Sequence, residues 1–102
     1  MDQKEALNWA RRYLEVVHRA DWNVLEAFLF GSQVSGAARP DSDLDIALVL
    51  DSPMNGVLLQ WEMMKLRRSV NLLIEPHPIS LQEWNEGTPF TEEIKRTGIR
   101  IA

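Results

Sequence analysis

Two short apolar runs, VLEAFLF (24–30) and DLDIALVL (43–50), constrain this chain more than any other feature in it. Their β-branched and aromatic content predicts two buried strands. Gly31 ends the first, and Asp51-Ser52-Pro53 stops the second. Residues 31–42, GSQVSGAARPDS, join them, with Ser32 to Ala37 read as a helical turn or two and Ala38 to Ser42 as a loop. The second run opens on Asp43 and Asp45 before turning wholly apolar. Burying ionised carboxylates is costly unless something positive compensates them, so this strand start requires an explanation.

The rest of the chain supplies helices and a third strand. Asp2 and Glu5 have the form of a capping box, and Leu7, Ala10, Leu14 and Val17 follow at helical spacing, predicting a helix over 3–19. Gly56 to Arg68 carries Val57, Trp61, Met64 and Arg68 on one side, which suggests another. VNLLIE (70–75) reads as a strand ended by Pro76 and Pro78, with His77 as a loop residue between them. Ser80 with Glu83 opens a short helix over 80–86, and Thr88-Pro89 begins a last one reaching about Thr97. Gly98 closes it, and an IRIA tail follows. The order α-β-α-β-α-β-α-α predicts an α/β fold with a small three-stranded sheet backed by helices, in one domain spanning 1–102. The four tryptophans, scattered over separate elements, are expected at the core or its edge.

Composition narrows the function. A formal net charge of −4 argues against a broad basic face for nucleic acid. No apolar run approaches the roughly 20 residues of a membrane span, and the charged start MDQKEALNWARRYLE lacks a signal-peptide core. With no cysteine present, disulfides and thiolate metal sites are excluded, and a cytoplasmic location is the expectation. Asp41, Asp43, Asp45 and Asp51 fall within eleven residues, a concentration that suits a cation better than a polyanion.

In a strand, residues i and i+2 share a face about 6.6–6.8 Å apart, so Asp43 and Asp45 project together. Two carboxylates so placed suit Mg²⁺, or a pair of metals of the kind that supports phosphoryl transfer. Gly31 lets the backbone approach a ligand, Ser32 opens a helical turn whose N–H groups favour an anion, and Gly36 keeps the far side clear. The joined pattern describes a phosphate cradle beside a metal clamp.

The stretch Gly31-Ser32 … Gly36 … Arg39-Pro40-Asp41-Ser42-Asp43-Leu44-Asp45 resembles the signature of the minimal nucleotidyltransferases of the DNA polymerase beta superfamily. The GIRI segment near the end resembles that family's closing motif, and the element order follows the family through most of the chain. The resemblance implies a small mixed sheet and transfer of a nucleoside monophosphate, usually from ATP, to an acceptor hydroxyl, with Mg²⁺ in a two-metal site. It implies that Gly31, Ser32 and Gly36, with Arg39 and Ser42, bind the nucleotide. Asp43 and Asp45 would be catalytic residues that ligate both metals. Many relatives carry Arg where this chain has Ser35, so either phosphate binding is expected to be weaker or Arg39 to serve instead. A third carboxylate is expected on the third strand, where Val70-Asn71-Leu72 offers only an amide; Glu75, on the same predicted face as Asn71, is the candidate catalytic and metal-binding acid.

Stand-alone members of this kind accompany a helical HEPN-type partner, as antitoxins that adenylylate a tyrosine on an RNase toxin. The implied partners are therefore a nucleoside triphosphate and a HEPN protein, with no nucleic acid and no membrane, and with homo-oligomerisation left open. The competing reading is a module that neutralises its partner by contact, its catalysis lost through Asn71.

Overall fold

The computed structural model describes residues 1–102. Helix α1 (Gln3–Arg19) leads into strand β1 (Val24–Phe30), a four-residue helix α2 (Ser32–Ser35) and strand β2 (Leu44–Leu50). Helix α3 (Gly56–Leu66) and a 3₁₀ turn at Arg67–Ser69 precede strand β3 (Ile74–Ser80). Helices α4 (Leu81–Glu86) and α5 (Pro89–Thr97) and the short strand β4 (Ile99–Arg100) complete the chain. Asp2 and Ser80 cap α1 and α4 by accepting the Glu5 and Glu83 N–H groups. Thr88 caps α5 in a full box with Thr91, with Pro89 in the first turn.

The sheet runs β3-β2-β1-β4 and is mixed. β1 is antiparallel to both β2 and β4, while β2 and β3 are parallel, joined by the α3 crossover. The expected three strands are thus four, because the IRIA tail turns back and pairs Ile99 and Arg100 with Leu29 and Phe28. Alternation along β2 divides the interior. Leu44, Ile46, Leu48 and Leu50 pack with Ala10, Leu14, Leu59 and Met63 from α1 and α3. Ala47 and Val49 face the other way, with Phe28, Ile79, Trp84 and Ile94, under α4 and α5. Covering both faces is why β2 reads as one continuous apolar run. Buried Tyr13 on α1 donates to the Met63 carbonyl at 2.7 Å and ties the two helices together. Burial raises its hydroxyl pKa above the usual range, opposed by the Arg67 charge. No helix is long and apolar enough to cross a membrane.

The third strand lies four residues beyond its expected place. Val70 to Leu73 form a turn, and Pro76 and Pro78 sit inside β3 rather than ending it. An edge strand tolerates this, since a proline needs no N–H where its backbone faces away from the sheet. The carbonyls on that free edge are taken by side chains: Arg67 donates to Ile74 O and Gln60 to Pro76 O, both at 2.9 Å. Helix α3 forms as expected but turns its other side inward. Leu59 and Met63 are buried, whereas Val57 is 81% and Trp61 56% exposed, so Trp61 is no core residue.

Candidate active site

One end of the sheet collects the residues singled out by sequence. There β1 finishes while β2 and β3 begin, and Asp45 is the centre of the row. It sits opposite Phe30 on one side and Glu75 on the other. Asp43, two residues earlier and just before the strand, is exposed, with fully buried Leu44 between them pointing to the opposite face. The parallel register thus places Asp45 and Glu75 side by side on a common face, the one beneath α4 and α5, with Asp43 on the approach to the strand.

The Gly-Ser turn closes directly on this row. Gly31 adopts φ +78°, a left-handed conformation that β-carbon-bearing residues rarely hold. A β-carbon built there would lie within van der Waals contact distance of Asp45 Oδ2, at 2.4 Å. Glycine is therefore required twice, for its backbone and for the carboxylate beside it. Gly31 O accepts from the N–H groups of Val34 and Ser35, each at 3.0 Å, which makes the single turn of α2. Gly36 ends that turn at φ +84° with open space around it. The following loop is closed at both ends of one pair: Ser42 Oγ accepts from Arg39 N at 2.7 Å, and Ser42 N donates to Arg39 O at 3.0 Å. The Arg39 side chain stands exposed outside it.

Each inner carboxylate already has a partner. Asp45 Oδ1 is 2.9 Å from His77 Nε2, and Glu75 is 3.8 Å from the Arg67 guanidinium. His77 is accordingly a β3 residue facing the site and not the loop residue expected from its flanking prolines. Its ring packs edge-on against Phe30, centroid to centroid 5.0 Å, and Phe90 lies 5.8 Å away. Asn71 lies in the turn before β3, where its Oδ1 accepts the Leu73 N–H at 2.8 Å. It is outside the carboxylate row, and an aspartate there would serve the same turn.

With this geometry in hand, the comparisons are decisive. The family model for polymerase beta, nucleotidyltransferase, matches residues 14–102. This chain belongs to that nucleotidyltransferase family. No curated protein matches it significantly in sequence. Among solved structures, a Sulfolobus solfataricus protein classed as a nucleotidyltransferase superposes with a TM-score of 0.64 at 24% identity, covering 82% of this chain and 75% of its own. A mutant of the toxin–antitoxin MntA–HpeT has the same TM-score at 17% identity, covering 89% and 70%. A toxin–antitoxin structure with AMP-PNP also reaches 0.64 at 17%, covering 90% and 72%. At these identities the likeness is one of fold.

Two further residues beside these carboxylates were given no role by the sequence reading. His77 touches a carboxylate 32 positions away, a contact created only by the parallel pairing of β2 with β3. Gln33, buried within α2, directs its side-chain amide at the carbonyls of Ser42 and Asp43, each at 3.5 Å. It anchors the Gly-Ser turn to the start of the aspartate strand. A glutamine in an otherwise small-residue turn was the only hint.

Proposed function

We propose that this chain is a Mg²⁺-dependent nucleotidyltransferase that moves AMP from ATP onto a hydroxyl of a partner protein, breaking the bond between the α- and β-phosphates and releasing pyrophosphate, and so serves as the antitoxin of a HEPN-type toxin. One observation carries the reading: Asp45 and Glu75 stand side by side at one end of the sheet with Asp43 two residues before Asp45, and a β-carbon at Gly31 would fall 2.4 Å from the Asp45 carboxylate. Family membership and the toxin–antitoxin structures of the same fold support it.

No three His, Asp or Glu side chains are gathered closely enough to hold a metal ion. The donor chemistry nevertheless fits Mg²⁺, since all three acids offer hard oxygen. Asp43 and Asp45 would hold it, with Glu75 joining them. When bound, Mg²⁺ supplies charge neutralisation on the phosphates. Glu75 would be available to it, since its 3.8 Å pairing with Arg67 is partly exposed and of the kind that costs little to break. Gly31 and Ser32 seat the triphosphate, Gly36 and the Arg39–Ser42 loop border it, and Glu75 takes the proton of the acceptor hydroxyl. Holding reactants in line accounts for most of the catalysis in this type of transfer.

His77 holds Asp45 in place rather than meeting the nucleotide. His77→Phe keeps the aromatic contacts with Phe30 but removes the bond to Asp45, and is expected to weaken Mg–ATP binding by about 10-fold, as loss of a ligand-orienting partner does. His77→Asn should restore part of it. Titration calorimetry on both variants, with thermal melts to verify folding, checks this.

The function itself is tested by incubating the protein with Mg²⁺, a candidate HEPN partner and ATP labelled at either the α- or the γ-phosphate. Label from the α position on the partner, with none from the γ position, is the expected result. A tight complex that takes up neither label would instead identify a module acting by contact.

A further inference from the structure

Helix α3 has two apolar sides, and the fold uses only one of them. Leu59 and Met63 are buried, whereas Val57, Trp61, half-buried Met64 and Arg68 form a second stripe at i, i+4, i+7 and i+11. Four of the six large apolar side chains that stand exposed belong to α3 or to the turn that follows it: Val57, Leu58, Trp61 and Leu72. Trp61 and Leu72 line a common groove of about 140 Å³ with Met64, Lys65, Arg67 and Arg68. We propose that this outer side of α3 docks an amphipathic helix of another protein, one whose apolar face is flanked by acidic residues. The docking surface goes beyond the transfer reaction and does not depend on it.

Charge decides the occupant. Between Asn55 and Ile74 the chain carries three bases, Lys65, Arg67 and Arg68, against one acid, Glu62, although its formal net charge is −4. Two of these cations already have an anion: Lys65 pairs with Glu62 at 3.0 Å and Arg67 with Glu75 at 3.8 Å. Arg68 is exposed in the groove wall and pairs with none. A carboxylate arriving beside Trp61 and Leu72 therefore meets a free guanidinium. The same face of a second copy brings no such carboxylate, because its one acid is held by Lys65. Shape selects a helix. The groove is far below the volume of a small-molecule site, so side chains fill it rather than a free ligand. The stripe has the spacing of a ridge against which another helix packs. Addition of a strand is closed off next to it, since β3 contains Pro76 and Pro78 and its Ile74 and Pro76 carbonyls are taken by Arg67 and Gln60. Trp61, half-exposed at the centre of the stripe, is the anchor of the kind that dominates such interfaces.

The probe is a fluorescent helical peptide of about 15 residues with leucines along one face and glutamates beside them. Its controls are the same residues scrambled off the helical pattern, a version with lysine for every glutamate, and oligouridylate. Anisotropy titrations should show wild type binding the acidic peptide at least about 10-fold more tightly than any control. Trp61→Glu and Leu72→Glu should each weaken that binding about 10-fold or more, as loss of a central anchor does. Arg68→Glu should weaken it about 2–5-fold, the scale of a rim charge, and improve binding of the lysine version. Leu25→Glu, at an exposed apolar residue on β1, should change nothing. All the substituted side chains are exposed, and thermal melts verify that each variant folds. Failure of wild type to bind the acidic peptide overturns the proposal, as does equal binding by Trp61→Glu. Preference for the scrambled peptide, the lysine version or oligouridylate overturns it too, as does a wild-type dimer in sedimentation that Trp61→Glu dissolves. Mg–ATP affinity should be the same in wild type and Trp61→Glu, so failure to bind Mg–ATP removes the nucleotidyltransferase reading and leaves the docking surface standing.

Discussion

Gly31→Val is expected to abolish nucleotide binding and to destabilise the fold by on the order of 3 kcal/mol or more. Two independent costs combine. At φ +78° and ψ −147° the Gly31 backbone lies in a region essentially reserved for glycine, which costs any other residue about 1–3 kcal/mol. The new β-carbon also meets Asp45 Oδ2 at 2.4 Å, so the carboxylate or the turn has to shift, an overpacking cost of about 1–3 kcal/mol. The two separate in a double-mutant cycle. Gly31→Ala in an Asp45→Ala background retains the backbone cost and loses the clash, so chemical denaturation should show a coupling of about 1 kcal/mol or more. Strict additivity would mean that Gly31 and Asp45 do not touch.

The second large effect concerns the acid on β3. Glu75→Gln is expected to lower adenylyl transfer by two or more orders of magnitude, the scale of losing a catalytic acid–base group, while some ATP binding persists through Asp43 and Asp45. Asn71→Asp should change little, because Asn71 sits in the turn before β3 and already uses its Oδ1 on the Leu73 N–H. Single-turnover transfer with α-labelled ATP measures both. Transfer gained by Asn71→Asp, with indifference to Glu75→Gln, would assign the acid to the turn and leave Glu75 as a partner of Arg67.

What was legible in the sequence is what depends on neighbours along the chain. Strand β1, strand β2, helix α1 and the two capped helices α4 and α5 follow from local patterning and end signals, and all lie where expected. Gly31 and the Asp43–Asp45 pair were legible for the same reason, since a turn and an i, i+2 spacing are local. Strand β3 was not. VNLLIE looks like a strand and the prolines like its end, and only an edge position with Gln60 and Arg67 covering the free carbonyls makes IEPHPIS the better strand. That shift brings Glu75 into register with Asp45 and His77 into contact with it, two consequences no local pattern contains. Trp61 was misplaced at the core or its edge because it is apolar, yet it faces solvent at 56% exposure. Gly31 held a further surprise: the space freed by its missing side chain is occupied by the chain's own aspartate.

Calorimetric titration of Mg–ATP into wild type and into the Asp43→Asn/Asp45→Asn double variant tests most directly whether this sheet end is a nucleotide-transfer site. Wild type should bind saturably and only with Mg²⁺ present. The double variant should bind nothing, yet melt at the same temperature or slightly higher, since two neighbouring like charges at a strand start repel each other without a cation. Equal Mg–ATP affinity in the two proteins would contradict the assignment of Asp43 and Asp45.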